Sequence, residues 1–466
     1  MKFKGKLRTL CGGALIAACS LSAWSATPKY VFYFIGDGMG VSPAMAAVTY
    51  ARNVLGQDEL PLMLTFPHAG WVTTYSASSD VTDSAAAGTA LATGHKTKNS
   101  MLGMSADTVP VYSIAKTFKD AGYGIGLVTN VAADDATPGA FYAHVANRGM
   151  AEQIDRQFIP SGVDFLAGSG LNGLERKGES TGVKEEYEKN NIKIIHSPKD
   201  VDLSKRIVLL QENPFQRGNT GYMIDSIPGM MTLPEMTQAC LDYLVKKSPD
   251  NFFMMVEGGN IDHALHGNDA LTTITEIYNF NNALELAYKF LQERPEETLI
   301  VVTADHDTGG ISVGNNITGY KAFFDVLSHQ KMSKEMFSDV CKKILKDGAP
   351  GGWPAMQQLL AEKFGLDKEV KLTDAEMGAL EKLYKQVFVE QNSENEKSLY
   401  NDFNAFASAV FRTISNKAGV GWTTGAHTGN PVGVYAVGAG AENFSKIFDN
   451  TEIPSLILKT AGFEKK

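Results

Sequence analysis

Tyr30-Val31-Phe32-Tyr33-Phe34-Ile35 runs without a charged residue into Gly36-Asp37-Gly38, and the recurrence of that arrangement decides the fold. Gly124-Ile125-Gly126-Leu127-Val128-Thr129 leads toward Asp134-Asp135-Ala136-Thr137. Phe252-Phe253-Met254-Met255-Val256 leads to Glu257-Gly258-Gly259, and Leu299-Ile300-Val301-Val302-Thr303 to Asp305-His306-Asp307. Apolar runs of this length suit strands covered on both faces. Helical patterns fall among them at 84–92, 111–121, 233–246 and 271–291. The alternation predicts an α/β, doubly wound, mostly parallel sheet flanked by helices. Ligands of such sheets bind beyond the carboxyl ends of the strands, the edge to which these runs deliver acids.

Between His306 and His427 the pattern changes. Segments 333–345, 353–364, 373–390 and 402–414 read as helices, the third opening on the capping box Thr373-Asp374-Ala375-Glu376. Strand character returns at 432–437. Residues from about 318 to 419 are therefore expected to form a mainly helical, crown- or cap-like insertion before the last catalytic block. They show no obvious catalytic group, so a cap or an oligomer contact is their expected role.

At 466 residues the chain exceeds the size at which one core usually keeps growing, so a large domain with an insertion, or two domains, is expected. The formal net charge of −9 gives no general attraction for nucleic acid, and a group that binds phosphate must be placed locally. No run in the body of the chain reaches the roughly 18 apolar residues needed to span a bilayer. At the N-terminus, Lys2, Lys4, Lys6 and Arg8 precede an apolar stretch from Leu10 to Leu21, the pattern of an export signal. Ala23-Trp24-Ser25 offers cleavage before Ala26, giving a signal of 1–25 and a mature domain of 26–466. Ile16-Ala17-Ala18-Cys19 also resembles a lipobox that would leave Cys19 lipid-anchored. Both exits predict a periplasmic or secreted protein. Cys240 and Cys341 then remain, as one long-range disulfide or as two buried thiols.

The acids and histidines form a pattern of their own. Asp37 sits between glycines that let the backbone turn tightly. Asp262 and His266, four apart, share a helical face and suit one metal. Asp305 and His306 leave a strand end together, and His427 lies in the small-residue loop Thr424-Gly425-Ala426-His427-Thr428-Gly429. Such carboxylate and imidazole sets suit Zn²⁺, while oxygens such as those of Glu257 and Thr137 suit Mg²⁺. Each residue alone has a plainer reading as a cap, turn or surface group, and their convergence at one sheet edge argues otherwise. Ser84 stands where a helix begins, with Asp83 and Ser84 both acceptable caps. A helix start also favours a phosphoryl group. A serine there needs an activator to become a nucleophile, and no Gly-x-Ser-x-Gly elbow surrounds it.

Six blocks, taken together, resemble the alkaline phosphatase family in order along the chain. They are Gly36-Asp37-Gly38-Met39-Gly40, Thr82-Asp83-Ser84-Ala85-Ala86, Asp135-Ala136-Thr137-Pro138, Glu257-Gly258-Gly259-Asn260-Ile261-Asp262, Thr303-Ala304-Asp305-His306 and His427-Thr428-Gly429. The resemblance implies hydrolysis of small-molecule phosphate monoesters through a phosphoserine at Ser84, in a homodimeric enzyme. It implies two Zn²⁺ ions, one on Asp262, His266 and His427 and one on Asp37, Asp305 and His306. It implies one Mg²⁺ on Asp37, Thr137 and Glu257, with Asp135 contacting it directly or through water. Arg148 matches the guanidinium that clamps the phosphate. His263, where members carry Lys, Trp or His, and Asp135, where others carry His, leave the third ion open between Mg²⁺ and another. A sulfatase would need a different nucleophile motif, and related phosphodiesterases usually place Thr where Ser84 stands. A non-catalytic periplasmic binder of phosphate or metal would have no need of the complete set.

Overall fold

The computed structural model describes residues 27–56, 60–212 and 218–463; the export signal and the alternative lipobox at Cys19 that the sequence suggests lie outside them. Among the described residues, ten strands form one sheet. In chain order they are β1 (Tyr30–Ile35), β2 (His68–Thr73), β3 (Gly124–Thr129), β4 (Phe165–Gly168), β5 (Ile192–Ile195), β6 (Arg206–Leu210), β7 (Phe252–Glu257), β8 (Thr298–Thr303), β9 (Val432–Gly438) and β10 (Ile447–Asp449). Their spatial order is β10-β2-β9-β8-β1-β7-β3-β4-β6-β5. Every pairing is parallel except the two made by β9, which runs antiparallel to β8 and to β2. The sheet is thus the mostly parallel α/β sheet that the sequence predicts.

The four quoted apolar runs are the four central strands, and all of their residues are buried. Burying a single Phe, Val or Met side chain contributes about 1.5–3 kcal/mol, so only helices on both faces make such strands stable. One of these is the helix Ala270–Glu293, which links β7 to β8. Phe290 on it packs against Tyr30, Phe32 and Phe252 of the sheet. The helix Leu233–Lys247 starts on a complete capping box between Thr232 and Glu235.

Register aligns the chemistry. Ile35 pairs with Thr303 on one side and with Glu257 on the other, and Glu257 pairs with Thr129. The chains leaving β1, β8, β7 and β3 therefore emerge at one level of one sheet edge. That common level is what gathers Asp37, Asp305, Glu257 and Asp135.

The segment between β8 and β9 is mainly helical, with helices Lys334–Lys346, Gly352–Phe364, Asp374–Tyr384 and Ala405–Ala418. Both hydrogen bonds of the Thr373–Glu376 capping box are formed. These helices share an aromatic core in which Phe337 and Phe364 meet edge to face, as do Phe364 and Phe411. The last helix begins at Ala405 rather than at 402, because Asp402 and Phe403 pair with Lys397 and Glu396 as a hairpin. Cys240 and Cys341 are buried free thiols, not a disulfide. Among the described residues, no helix is long and apolar enough to cross a membrane.

Candidate active site

The helix Ser84–Thr93 points its N-terminus at the sheet edge. Asp83 is its cap, accepting from Ala86 N at 2.9 Å, and its other oxygen accepts from Ser100 N at 2.8 Å. Asp83 thus takes the capping role, and Ser84 is left for another. Ser84 is fully buried, with its Oγ 3.1 Å from His306 Nε2.

His306 Nε2 also lies 3.1 Å from Asp305 Oδ2 and 3.4 Å from Asp37 Oδ1. Asp305 Oδ1 accepts from the backbone N–H groups of Gly38 and His306, which ties the β1 and β8 loops together. Gly38 is needed there: its φ is +68°, and a Cβ would stand 2.7 Å from Asp262 Oδ1.

Three imidazoles are oriented alike. Nδ1 of His266 donates to the Gly425 carbonyl at 2.7 Å, and Nδ1 of His427 to the Thr82 carbonyl at 2.8 Å. The Thr308 hydroxyl donates to Asp262 Oδ1 at 2.5 Å, so its oxygen accepts from His306 Nδ1 at 3.2 Å. Every Nδ1 is thereby committed as a donor, and each Nε2 lone pair faces the site. His266 Nε2 lies 3.3 Å from Asp262 Oδ2, and His427 Nε2 lies 3.8 Å from Asp262 Oδ1.

The carboxylates crowd one another. Asp37 Oδ1, Asp262 Oδ2 and Asp305 Oδ2 are buried and accept no hydrogen bond. Burial first, then the charges of Asp305 and Asp262, push Asp37 well above the ordinary aspartate range. Burial and Asp262 push Asp305 up to about 7. Burial pushes Glu257 up to about 8, although Thr129 and Thr137 hydroxyls lie against it. Burial also works against Asp262, but His266, His427 and His306 outweigh it and hold that carboxyl well below its usual value. Buried oxygens and lone pairs in such proximity need protons or cations between them. The donor atoms of Asp37, Asp305 and His306 all lie within 4.8 Å of one another, as do those of Asp262, His306 and His427. Mixed imidazole and carboxylate donors at this spacing suit divalent cations.

Beside these clusters, Asp135 Oδ1 accepts from Ala136 N at 2.7 Å and from Arg148 Nη2 at 2.6 Å. Burial raises Asp135, but the Arg148 charge, the hydrogen bonds from Ala136 N and Arg148, and His263 together outweigh it and leave the carboxyl below its ordinary value. His263 is buried between Asn219, 3.4 Å from its Nδ1, and the ring of Tyr400. Burial lowers it to about 4, so it is neutral at physiological pH.

All eleven residues selected from the sequence are placed at this edge. Asp83 is one of the two caps that the sequence offers, and it is the cap; the sequence reading does not mark Thr308 or Tyr400. Thr308 stands next to a quoted motif, in Asp305-His306-Asp307-Thr308, and that adjacency is the available signal. Tyr400 comes from the insertion expected to carry no catalytic group, and no local pattern marks it.

Residues 28–168 and 186–463 match the family model described as Alkaline phosphatase. Alkaline phosphatase 3 of Bacillus subtilis (strain 168) is 30% identical over 447 residues, covering 94% of this chain and 90% of its own. The crystal structure of the cold-active alkaline phosphatase from the psychrophile Shewanella sp. matches with a TM-score of 0.76 at 27% identity, over 92% of this chain and 99% of that one. A TAB5 alkaline phosphatase variant with aspartate in place of a histidine, solved with Mg bound in its M3 site, matches with a TM-score of 0.64 at 26% identity, over 94% and 99% of the two chains.

Proposed function

The chain belongs to the alkaline phosphatase family, and on that premise we propose that it hydrolyses phosphate monoesters in two displacements with a phosphoserine at Ser84 between them. The observation that carries this reading is the position of Ser84 Oγ, 3.1 Å from the imidazole that joins Asp37 and Asp305 and at the N-terminus of a helix.

In the first step Ser84 Oγ, having lost its proton, bonds to phosphorus while the ester P–O bond breaks, and the departing alcohol oxygen takes up a proton. In the second, a water oxygen bonds to phosphorus, the Oγ–P bond breaks, and Ser84 recovers its proton. Arg148, held by Asp135, presents two donors to the equatorial oxygens, and the helix N-terminus faces the same charge. Two inversions give net retention at phosphorus.

Asp262, His266 and His427 would hold one Zn²⁺, and Asp37, Asp305 and His306 a second. Asp37, Thr137 and Glu257, with Asp135, would hold Mg²⁺. Bound there, divalent ions supply the positive charge that lowers the pKa of an oxygen nucleophile and stabilises a departing one. Magnesium at the third site is supported by the TAB5 variant, whose M3 site carries Mg after a histidine is replaced by aspartate. Export to the periplasm or medium, and a homodimeric state, belong to the same proposal.

Turnover of a chromogenic phosphate monoester, abolished by a chelator and restored by zinc, tests the reading. A diester and a sulfate ester run in parallel should be poorer substrates. Preference for either one would overturn it.

A further inference from the structure

Residues 396–403 form a hairpin in which Glu396 and Lys397 pair with Phe403 and Asp402. One buried cation holds both strands. The Nζ of Lys334 lies 3.1 Å from Glu396 Oε1 and 4.3 Å from the centre of the Phe403 ring, and its side chain is only 4% exposed. The turn is tied down as well, since Asn401 Nδ2 donates to Glu335 Oε2 at 3.1 Å. Asn404 N then donates to Ser338 Oγ at 2.8 Å where the next helix begins.

A hairpin fixed at so many points places its turn with little freedom. That turn carries Tyr400 onto the catalytic edge of the sheet. Its ring centre is 3.9 Å from that of His263, at an interplanar angle of 31°, and 5.2 Å from that of His266, edge to face at 80°. The charged groups that act on its hydroxyl come from four other elements and are Asp262, Arg148, Asp135 and Asp37. A phenol can donate its proton; the carboxylates nearby are the cation ligands of the reading above, so the acceptor left to it beside Arg148 is a phosphoryl oxygen.

We propose that Tyr400 is a substrate-binding residue supplied by the helical insertion. Its hydroxyl donates a hydrogen bond to the phosphoryl group held by Arg148, and its ring braces His263 and His266. This rests on the reading of the site given above. It changes the role of the insertion, which completes the phosphate pocket from the same chain.

The test uses the full-length, metal-loaded enzyme and its Tyr400→Phe and Tyr400→Leu variants. Isothermal titration with inorganic phosphate is read alongside KM for a monoester and zinc release to a competing chelator. Tyr400→Phe keeps the ring, so zinc release and melting temperature should match wild type. Its phosphate dissociation constant should rise roughly tenfold, as expected for loss of a hydrogen bond to a charged group. Tyr400→Leu should show the same loss and also release zinc faster. Unchanged phosphate affinity in Tyr400→Phe would overturn the inference, leaving the ring a packing element. Failure of the wild-type enzyme itself to bind phosphate would overturn the underlying reading, and the inference with it.

Discussion

His266 and His427 face each other through their Nε2 atoms across 3.0 Å, and backbone carbonyls hold both rings by Nδ1. Two lone pairs at that separation repel unless something positive lies between or beside them. Asp262, 3.3 Å from one and 3.8 Å from the other, supplies negative charge instead. The arrangement is therefore built for a cation. Its geometry is fixed by loops that lie far apart in sequence, at Thr82 and at Gly425.

Thr308 is the joint between the two clusters, because its hydroxyl bonds both Asp262 and His306. Thr308→Val keeps the shape and removes both bonds. Zinc affinity, measured by competition with a chromogenic chelator, is expected to fall about 10–100-fold. Thr308→Ser should retain most of it.

Stability should depend on pH in opposite ways with and without metal. Asp305 and Glu257 are raised to about 7 and about 8, above their ordinary values of 3.8 and 4.5. A carboxyl raised by folding binds more protons in the native state than in the unfolded one. Its contribution is full below the ordinary value and is lost as pH rises through the raised one. The chelated protein should therefore lose melting temperature between about pH 4 and pH 8. Excess zinc should flatten or reverse that slope, since a bound cation replaces the protons. Thermal melts across this range with and without chelator check it.

Arg148 is oriented by Asp135 at 2.6 Å. Arg148→Lys keeps the charge and loses the planar fork. KM for a monoester and the inhibition constant for phosphate should both rise, about tenfold or more, while zinc content stays at the wild-type level. Steady-state kinetics with metal analysis separates the two effects.

Gly38 has a φ of +68°, and an added Cβ would meet Asp262 Oδ1 at 2.7 Å and Thr308 Oγ1 at 2.9 Å. Gly56 has nearly the same φ, +66°, and open space around it. Gly56→Ala should cost about 1 kcal/mol for the left-handed backbone alone. Gly38→Ala should cost about 1–3 kcal/mol more, as overpacking does, and should lose zinc. Denaturant unfolding of the two variants isolates the contact.

The central strands were legible because both faces of β1, β3, β7 and β8 are buried, so each reads as an unbroken apolar run. Among the outer strands β9 was legible at 432–437, but β2 and β5 were not. β2 reads His68-Ala-Gly-Trp-Val-Thr73 with alternating exposure, and β5 has only four residues, so neither shows a run of that kind. The acids at the sheet edge were legible because each follows its strand within a few residues. Tyr400 was not, because its place depends on Lys334 pinning a hairpin whose strands are two residues each. Those bonds are long-range, and no local periodicity encodes them. The alternatives for Cys240 and Cys341 separated only when the chain was folded, with each thiol buried and unpaired.

The central claim is that Ser84 carries the phosphoryl group between two displacements. Acid-quenching the enzyme during monoester turnover, followed by peptide mass mapping, tests it most directly. The account predicts phosphate on the peptide containing Ser84, its absence in Ser84→Ala, and a fall in that variant's turnover of at least about a thousandfold. A Ser84→Ala enzyme that keeps most of its activity, or a phosphorylated residue elsewhere, would contradict it.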